Sequence, residues 1–421
     1  MKSKEKVLAL ILSIYFISSS LIPSKVSIFQ VDLPLSDIMF LMILITFITI
    51  VLMSKEYKRK VVRAISSIIH NKLDISLIVF FLIMCFSTLY SLEKVLAIKE
   101  SIRFASYLVI YFIIKYFITS ERWIKLLINS IIVNIYIVCS FGAFQYITNF
   151  KLKEEYIVNY DYIKRIPSTL ENPNSLAGYL ILFLFPMIML TIMHFNNRKV
   201  NFKFIMYALL SAMILLGLIL TGSRNGYVGI FIGIISLSIL YSFKLLLSFG
   251  VLGFIGIINP KVMQRVLALF DASKNSSRLK LWKLGGYMIK DHPILGVGNG
   301  NYVTYYDIYS EKYPNLRYGD YKRFSSHNTF IKIQSELGLI GSVSFILVIV
   351  FVVKEILEFV RSVTSQWWKV FYIGFFASTI SFLVMSISDN LLFVPKIALY
   401  FWAVIAIMES YKHNVIYKYK N

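Results

Sequence analysis

Two residue types that often carry chemistry are scarce here. There are only two cysteines in 421 residues, Cys85 and Cys139. Both fall inside apolar runs with no metal-like spacing, so they read as small core residues and exclude a disulfide scaffold or a thiolate metal centre. Charge is also sparse, at 16% of residues, and negative charge is the scarcer sign, with 22 acidic against 44 basic side chains. No His-Glu-x-x-His, no Cys/His cluster, no Asp-x-Asp pair and no Gly-x-Ser-x-Gly elbow occurs. These gaps argue against a zinc hydrolase, a metal-dependent nucleotide-sugar transferase and a serine hydrolase, and no metal or cofactor is called for. No internal repeat of solenoid length is found.

What remains is apolar. Hydrophobic residues make up 57% of the chain and the mean hydropathy is +0.70, far above a soluble domain. Runs of about 20 apolar residues match the thickness of a hydrocarbon core. They predict an all-α polytopic membrane protein of about twelve spans, near 7–22, 37–53, 74–91, 103–119, 124–147, 176–194, 202–221, 226–243, 245–258, 329–353, 368–388 and 390–408. The N-terminal stretch resembles a signal peptide, but further spans follow directly, so it is read as a retained first helix.

The net charge of +22 is not a nucleic-acid signal. "SKEYKRKVVRAISSIIHNK", "HFNNRKVNFK", "KEILEFVRSVTSQWWK" and the tail "YKHNVIYKYKN" are all basic and fall on one side of a single alternation, while Glu93, Glu100, Glu154, Glu155, Asp161 and Glu171 fall on the other. The positive-inside rule then puts both termini in the cytoplasm, with membrane lipids as the natural partner of the basic loops. Two longer segments, 148–175 and 259–326, lie on the outer side. The longer one holds "SSRLKLWKLGGYMIK", with Leu281, Leu284 and Met288 on one helical face and Lys283 and Lys290 roughly opposite. That pattern predicts an amphipathic helix on the membrane surface.

Several residues could carry chemistry. Arg224, in "LTGSRNGYVG", is either an interfacial arginine snorkelling to headgroups or an anion ligand beside the free N–H groups of the next helix. Arg278 and Trp282 are an i,i+4 pair, either a surface cation–π contact or a phosphate ligand beside an interfacial anchor. "GVGNGNY" lacks the lysine of a phosphate loop and reads as a tight turn for close backbone approach, with His292 before Pro293 as a turn residue. Ser325 or Ser326 is expected to cap a helix with His327 in its first turn, where the helix dipole disfavours imidazolium. A neutral imidazole suits a general base; the alternative is an interfacial histidine bonded to a loop. Asn328, Lys332 and Glu336 continue a polar stripe into the span, and ionisable residues at that depth are functional candidates. Asp389, in "SISDNLLF", is a further outer carboxylate, and Arg103 is a supporting candidate.

"ENPNSLAGYL", "LTGSRNGYVG", "SRLKLW…HPILGVGNGNY" and "SHNTFIKIQSELGLIG" occur in that order. Together they resemble the O-antigen ligase and polysaccharide polymerase family of bacterial inner-membrane glycosyltransferases, over roughly 170–345. The resemblance implies a GT-C-like fold and a division into N-terminal helices 1–175, a ligase-like core 176–408 and a cytoplasmic tail 409–421. It also implies metal-independent, inverting transfer of a glycan from undecaprenyl pyrophosphate to an acceptor glycan on the outer face of the membrane. Arg224 and Arg278 would hold the pyrophosphate and His327 would activate the acceptor hydroxyl. Members of the family polymerise repeat units, ligate chains to lipid A core, or glycosylate protein. The Ile-, Lys- and Asn-rich composition tilts this chain toward a polymerase of surface polysaccharide, and a chain-length regulator stays open as a partner. A transporter or flippase of lipid-linked glycan is the reading from another class, although no repeated halves are found.

Overall fold

In the computed structural model the described residues are 2–21, 26–28, 31–33, 35–158, 163–170, 172–196, 201–244 and 272–416. They form fourteen α-helices and two small antiparallel hairpins. The hairpins pair Val26–Ile28 with Val31–Leu33 and Ile157–Val158 with Ile163–Lys164. The helices are α1 (Lys2–Ser18), α2 (Leu35–Leu52), α3 (Lys55–Ile68), α4 (Lys72–Ser87), α5 (Lys94–Phe117), α6 (Glu121–Thr148) and α7 (Pro173–Asn196). There follow α8 (Phe202–Thr221), α9 (Arg224–Leu240), α10 (Ala272–Asp291), α11 (Tyr302–Lys312), α12 (Thr329–Ser362), α13 (Gln366–Met385) and α14 (Pro395–Tyr411). The run 245–258 lies outside the described residues.

The chain is a multi-pass membrane protein. Five helices, α6, α7, α8, α12 and α13, are long and apolar enough to cross a bilayer. The joined pair α2 and α3 makes a sixth if the two count as one span, although they meet at 109°. This is fewer than twelve for physical reasons. α1, α4, α9 and α14 are only 16 or 17 residues long, and α5 carries Lys94, Lys99, Glu100, Arg103 and Lys115. The basic segment 55–68, read as a loop, is a helix because its apolar residues recur at helical spacing. Its Val62 and Ile65 are exposed beside Lys58, Arg59 and Arg63, as on a helix lying in a membrane interface.

The core is built around α7 and α13. Gly374 of α13 sits against the backbone of α7, where an added Cβ would lie 2.5 Å from the Phe185 carbonyl oxygen and the Pro186 nitrogen. Small residues allow such close approach where lipid gives no hydrophobic drive to helix pairing. α9 packs on the same pair, and α8 packs on α7 and α6. α14 packs on α5, α12 on α4, and α1 on α6.

At one end of the bundle lies a buried ionic cluster. Lys115 Nζ is 2.7 Å from Asp74 Oδ1 and 2.8 Å from Glu409 Oε2, and all three side chains are buried. Tyr111 and Tyr116 donate their hydroxyls to Asp74 at 2.8 and 2.5 Å. Nearby, Lys412 pairs with Glu355 and Glu358. The start of α1 and the end of α14 both meet the 118–120 turn here, through Glu5 and Ser410.

The opposite end is shaped by a break in α12. Gly338 has φ 64° and ψ −161°, a conformation open essentially to glycine alone. The break lets the 293–302 segment dock onto the helix. Leu339 N–H bonds Pro293 O at 2.9 Å, and Val297 and Gly298 N–H bond the carbonyls of Ser335 and Glu336 at 2.8 Å each. A Cβ on Gly338 would lie 2.1 Å from the Ile294 carbonyl oxygen. Gly338→Ala is therefore expected to destabilise the protein by about 3 kcal/mol. A thermal midpoint equal to that of the wild type, with no new proteolysis in 292–302, would show that the break is dispensable.

The apolar face of α10 does not lie on lipid as the sequence pattern suggests. Leu281, Leu284 and Met288 are buried in a second, smaller core with Val297, Tyr302, Tyr306, Tyr309 and Leu316. The tyrosines of α11 cover the face that would otherwise need a membrane.

Candidate active site

The end of the bundle shaped by Gly338 gathers the sequence motifs. Asn328, rather than Ser325 or Ser326, caps α12: its side-chain oxygen accepts the N–H groups of Phe330 and Ile331 at 2.9 and 3.0 Å. Tertiary contacts decide this choice. The Asn328 N–H donates to Asn390 Oδ1 at 2.9 Å, Ser326 Oγ donates to the Asn328 carbonyl at 3.0 Å, and Thr329 N–H donates to Ser386 O at 2.9 Å. His327 consequently sits one residue before the cap, not in the first turn of the helix. Its backbone is left-handed, with φ 45°, a strain on the order of 1 kcal/mol for a non-glycine residue.

The partner of His327 is Asp389. Nδ1 lies 3.2 Å from Asp389 Oδ1. Burial alone would push the Asp389 carboxyl up, but the contact with His327, the Asn390 N–H and the charge of Arg278 together hold it below the usual carboxylate range. An ionised carboxylate only accepts hydrogen bonds. In a neutral imidazole the proton must then sit on Nδ1, which leaves Nε2 with its lone pair. The carboxylate thus sets the tautomer, a different role from the one expected of the helix dipole.

Both residues line a cleft of about 370 Å³, together with Asn390, Lys332, Glu100 and Asn172. Arg278, half-buried on α10, is close enough for its charge to act on Asp389. Arg224 is the first residue of α9, behind its cap Ser223. The adjacent Asn225 donates to Met385 O at 2.8 Å, which ties this helix start to the 386–390 turn that carries Asp389.

Other sequence candidates have framework positions. Glu336 is buried and receives Lys332 Nζ at 2.6 Å, Gly300 N–H at 2.9 Å and Tyr302 N–H at 3.1 Å. It pins the "GVGNGNY" turn to α12, which is the close backbone approach those glycines suggested. Lys332 also lies over the Phe393 ring, 5.1 Å from its centroid. Arg103 pairs with Glu100 at 2.6 Å and so reaches the cleft only through that carboxylate. Trp282 packs on the tyrosine core, and the His292 ring rests on Tyr305. Among the described residues, no group of three or more His, Cys, Asp or Glu side chains could hold a metal ion.

Residues 208–346 match the family described as O-antigen ligase. The segment is an O-antigen ligase domain. It contains Arg224, Arg278, His327 and Glu336, and ends before Asp389. No curated protein matches the chain.

Beside the O-antigen ligase domain the structure places cations that sequence reasoning missed. Arg165 donates to Thr221 O at 2.9 Å and to Asn174 Oδ1 at 3.0 Å, so a second guanidinium stands at the junction where Arg224 begins α9. Lys396 Nζ donates to Thr169 O at 2.8 Å. The signal for Arg165 was its place in 148–175, the segment that the charge alternation reads as outer, where the positive-inside bias does not favour arginine.

Proposed function

We propose that this protein transfers a glycan from undecaprenyl pyrophosphate to a sugar hydroxyl at the outer face of the cytoplasmic membrane, as a polymerase of surface-polysaccharide repeat units. The observation that carries the reading is the His327–Asp389 pair on an open cleft, within the field of Arg278. His327 Nε2 takes the proton of the acceptor hydroxyl as its oxygen attacks the anomeric carbon. The bond from that carbon to the pyrophosphate oxygen breaks, and the pyrophosphate leaves with the electron pair, still attached to its lipid. Asp389 stabilises the imidazolium that forms. Arg224 and Arg278 offset the charge growing on the pyrophosphate, which needs no proton to leave. A single displacement inverts the anomeric centre.

The membrane arrangement follows from the same reading. The five long helices, α2, and the shorter or more charged α1, α4, α5, α9 and α14 make eleven of the twelve spans. The ionic cluster around Lys115 then faces the cytoplasm with both termini, and the cleft faces outward.

The test is acceptor choice. Purified protein in lipid, given undecaprenyl-pyrophosphate-linked repeat units from its own bacterium and no other acceptor, is expected to extend them. Transfer only after lipid A core or a protein acceptor is added would make it a ligase. Arg224→Lys is expected to lower kcat/KM about tenfold, because a point charge cannot replace a bidentate fork on phosphate. Wild-type turnover in that variant would assign Arg224 to lipid headgroups instead.

A further inference from the structure

Beside His327, the 318–324 segment presents three aromatic rings that the chemistry above leaves unused. Tyr318 and Tyr321 stack nearly parallel, with centroids 5.5 Å apart and planes at 14°. Phe324 lies 4.8 Å from Tyr318 and 5.2 Å from Tyr321, and it also meets the His327 ring, with centroids 5.3 Å apart. Tyr321 is 59% exposed, and Tyr318 and Phe324 are half-buried.

These rings are held, not dangling. The Tyr318 N–H donates to the Tyr306 hydroxyl at 2.9 Å, and Tyr306 belongs to the second core. At the other end, Arg323 forks onto both oxygens of Glu93 at 2.7 and 3.0 Å, and its N–H donates to Asp307 at 2.7 Å. Arg323 is itself left-handed, with φ 52°. Two anchors and a strained backbone thus fix an exposed aromatic surface next to the proposed base.

Resting on the proposed function, we propose that Tyr318, Tyr321 and Phe324 are a stacking platform for the acceptor glycan. A pyranose ring turns a face of C–H bonds, polarised by the ring oxygens, toward the negative face of an aromatic ring. Its hydroxyls meanwhile stay in water. Phe324 touches His327, and the tyrosines stand one ring further out. A sugar stacked on Tyr321 is therefore not the one that gives up its proton. It is the next sugar along, so the platform reads an oligosaccharide and gives nothing to a monosaccharide.

The probes are the repeat-unit oligosaccharide released from its lipid carrier and the monosaccharide from its non-reducing end. Both serve as acceptors with saturating lipid-linked donor. Tyr321→Ala is expected to raise KM for the oligosaccharide about fivefold to tenfold, to leave kcat nearly unchanged and to leave the monosaccharide unaffected. Tyr321→Phe keeps the ring and should behave as wild type. An unchanged oligosaccharide KM in Tyr321→Ala would overturn the platform. So would an equal loss with both acceptors, which would mark Tyr321 as structural or as a membrane-interface anchor. Saturation-transfer NMR on the released oligosaccharide reads the platform without turnover. Wild type that transfers to no acceptor yet binds the oligosaccharide through Tyr321 would sink the proposed reaction and leave the platform standing; no binding would sink the platform too.

Discussion

Replacing His327 by alanine is expected to slow glycosyl transfer by about 10²–10⁴-fold, the usual contribution of a positioned general base, while the lipid-linked donor still binds. The two effects separate because the proposed donor ligands, Arg224 and Arg278, stand on α9 and α10, whereas His327 is held by the Asn328 cap and by Asp389. Asp389→Asn should be nearly as damaging. An amide there can donate to Nδ1, which favours the proton on Nε2 and removes the base without removing the ring. The check is turnover and donor competition measured on the same preparations. Parallel loss of turnover and donor binding in His327→Ala would make His327 a ligand rather than a base.

The second large effect lies at the far end of the molecule. Lys115→Met leaves Asp74 and Glu409 as buried carboxylates without their shared cation, and breaking such a group commonly costs about 3–5 kcal/mol. Asp74 keeps the hydroxyls of Tyr111 and Tyr116, which hydrogen-bond it but do not neutralise it. The expected result is a much lower thermal midpoint in detergent and a poor yield. Lys115 and Glu100 lie on one helix, roughly 22 Å apart at 1.5 Å per residue, so the folded fraction should turn over at the wild-type rate. A stable Lys115→Met protein would mean that the carboxylates take up protons at little cost. A stable but inactive one would couple the two ends.

The residues most open to reading from sequence were those that break a local rule. His327, Arg224 and Asp389 are polar groups at the ends of apolar runs and Arg278 lies on an amphipathic helix, and the structure brings His327 and Asp389 together with the charge of Arg278 near them. Their partners were not legible, because they come from elements distant in sequence. "SSHN" offers several capping residues in a row, and only Asn390, 62 residues away, selects Asn328. Glu336 looked like part of a polar stripe because nothing local reveals that the 298–302 turn folds back onto it. The amphipathic face of α10 was read correctly as apolar but given the wrong cover, since tyrosines of α11 bury it. Apolar runs found the helices, yet several of those helices are shorter or more charged than a span needs when judged alone.

The reading turns on whether this protein joins sugars, and by one displacement. The measurement is the product formed by purified protein in lipid from undecaprenyl-pyrophosphate-linked repeat units alone, resolved by length and by the anomeric configuration of each new linkage. A ladder of inverted linkages that vanishes in His327→Ala is the expected result. Linkages of retained configuration would contradict the single displacement. Movement of the lipid between leaflets with no new linkage would contradict glycosyl transfer itself.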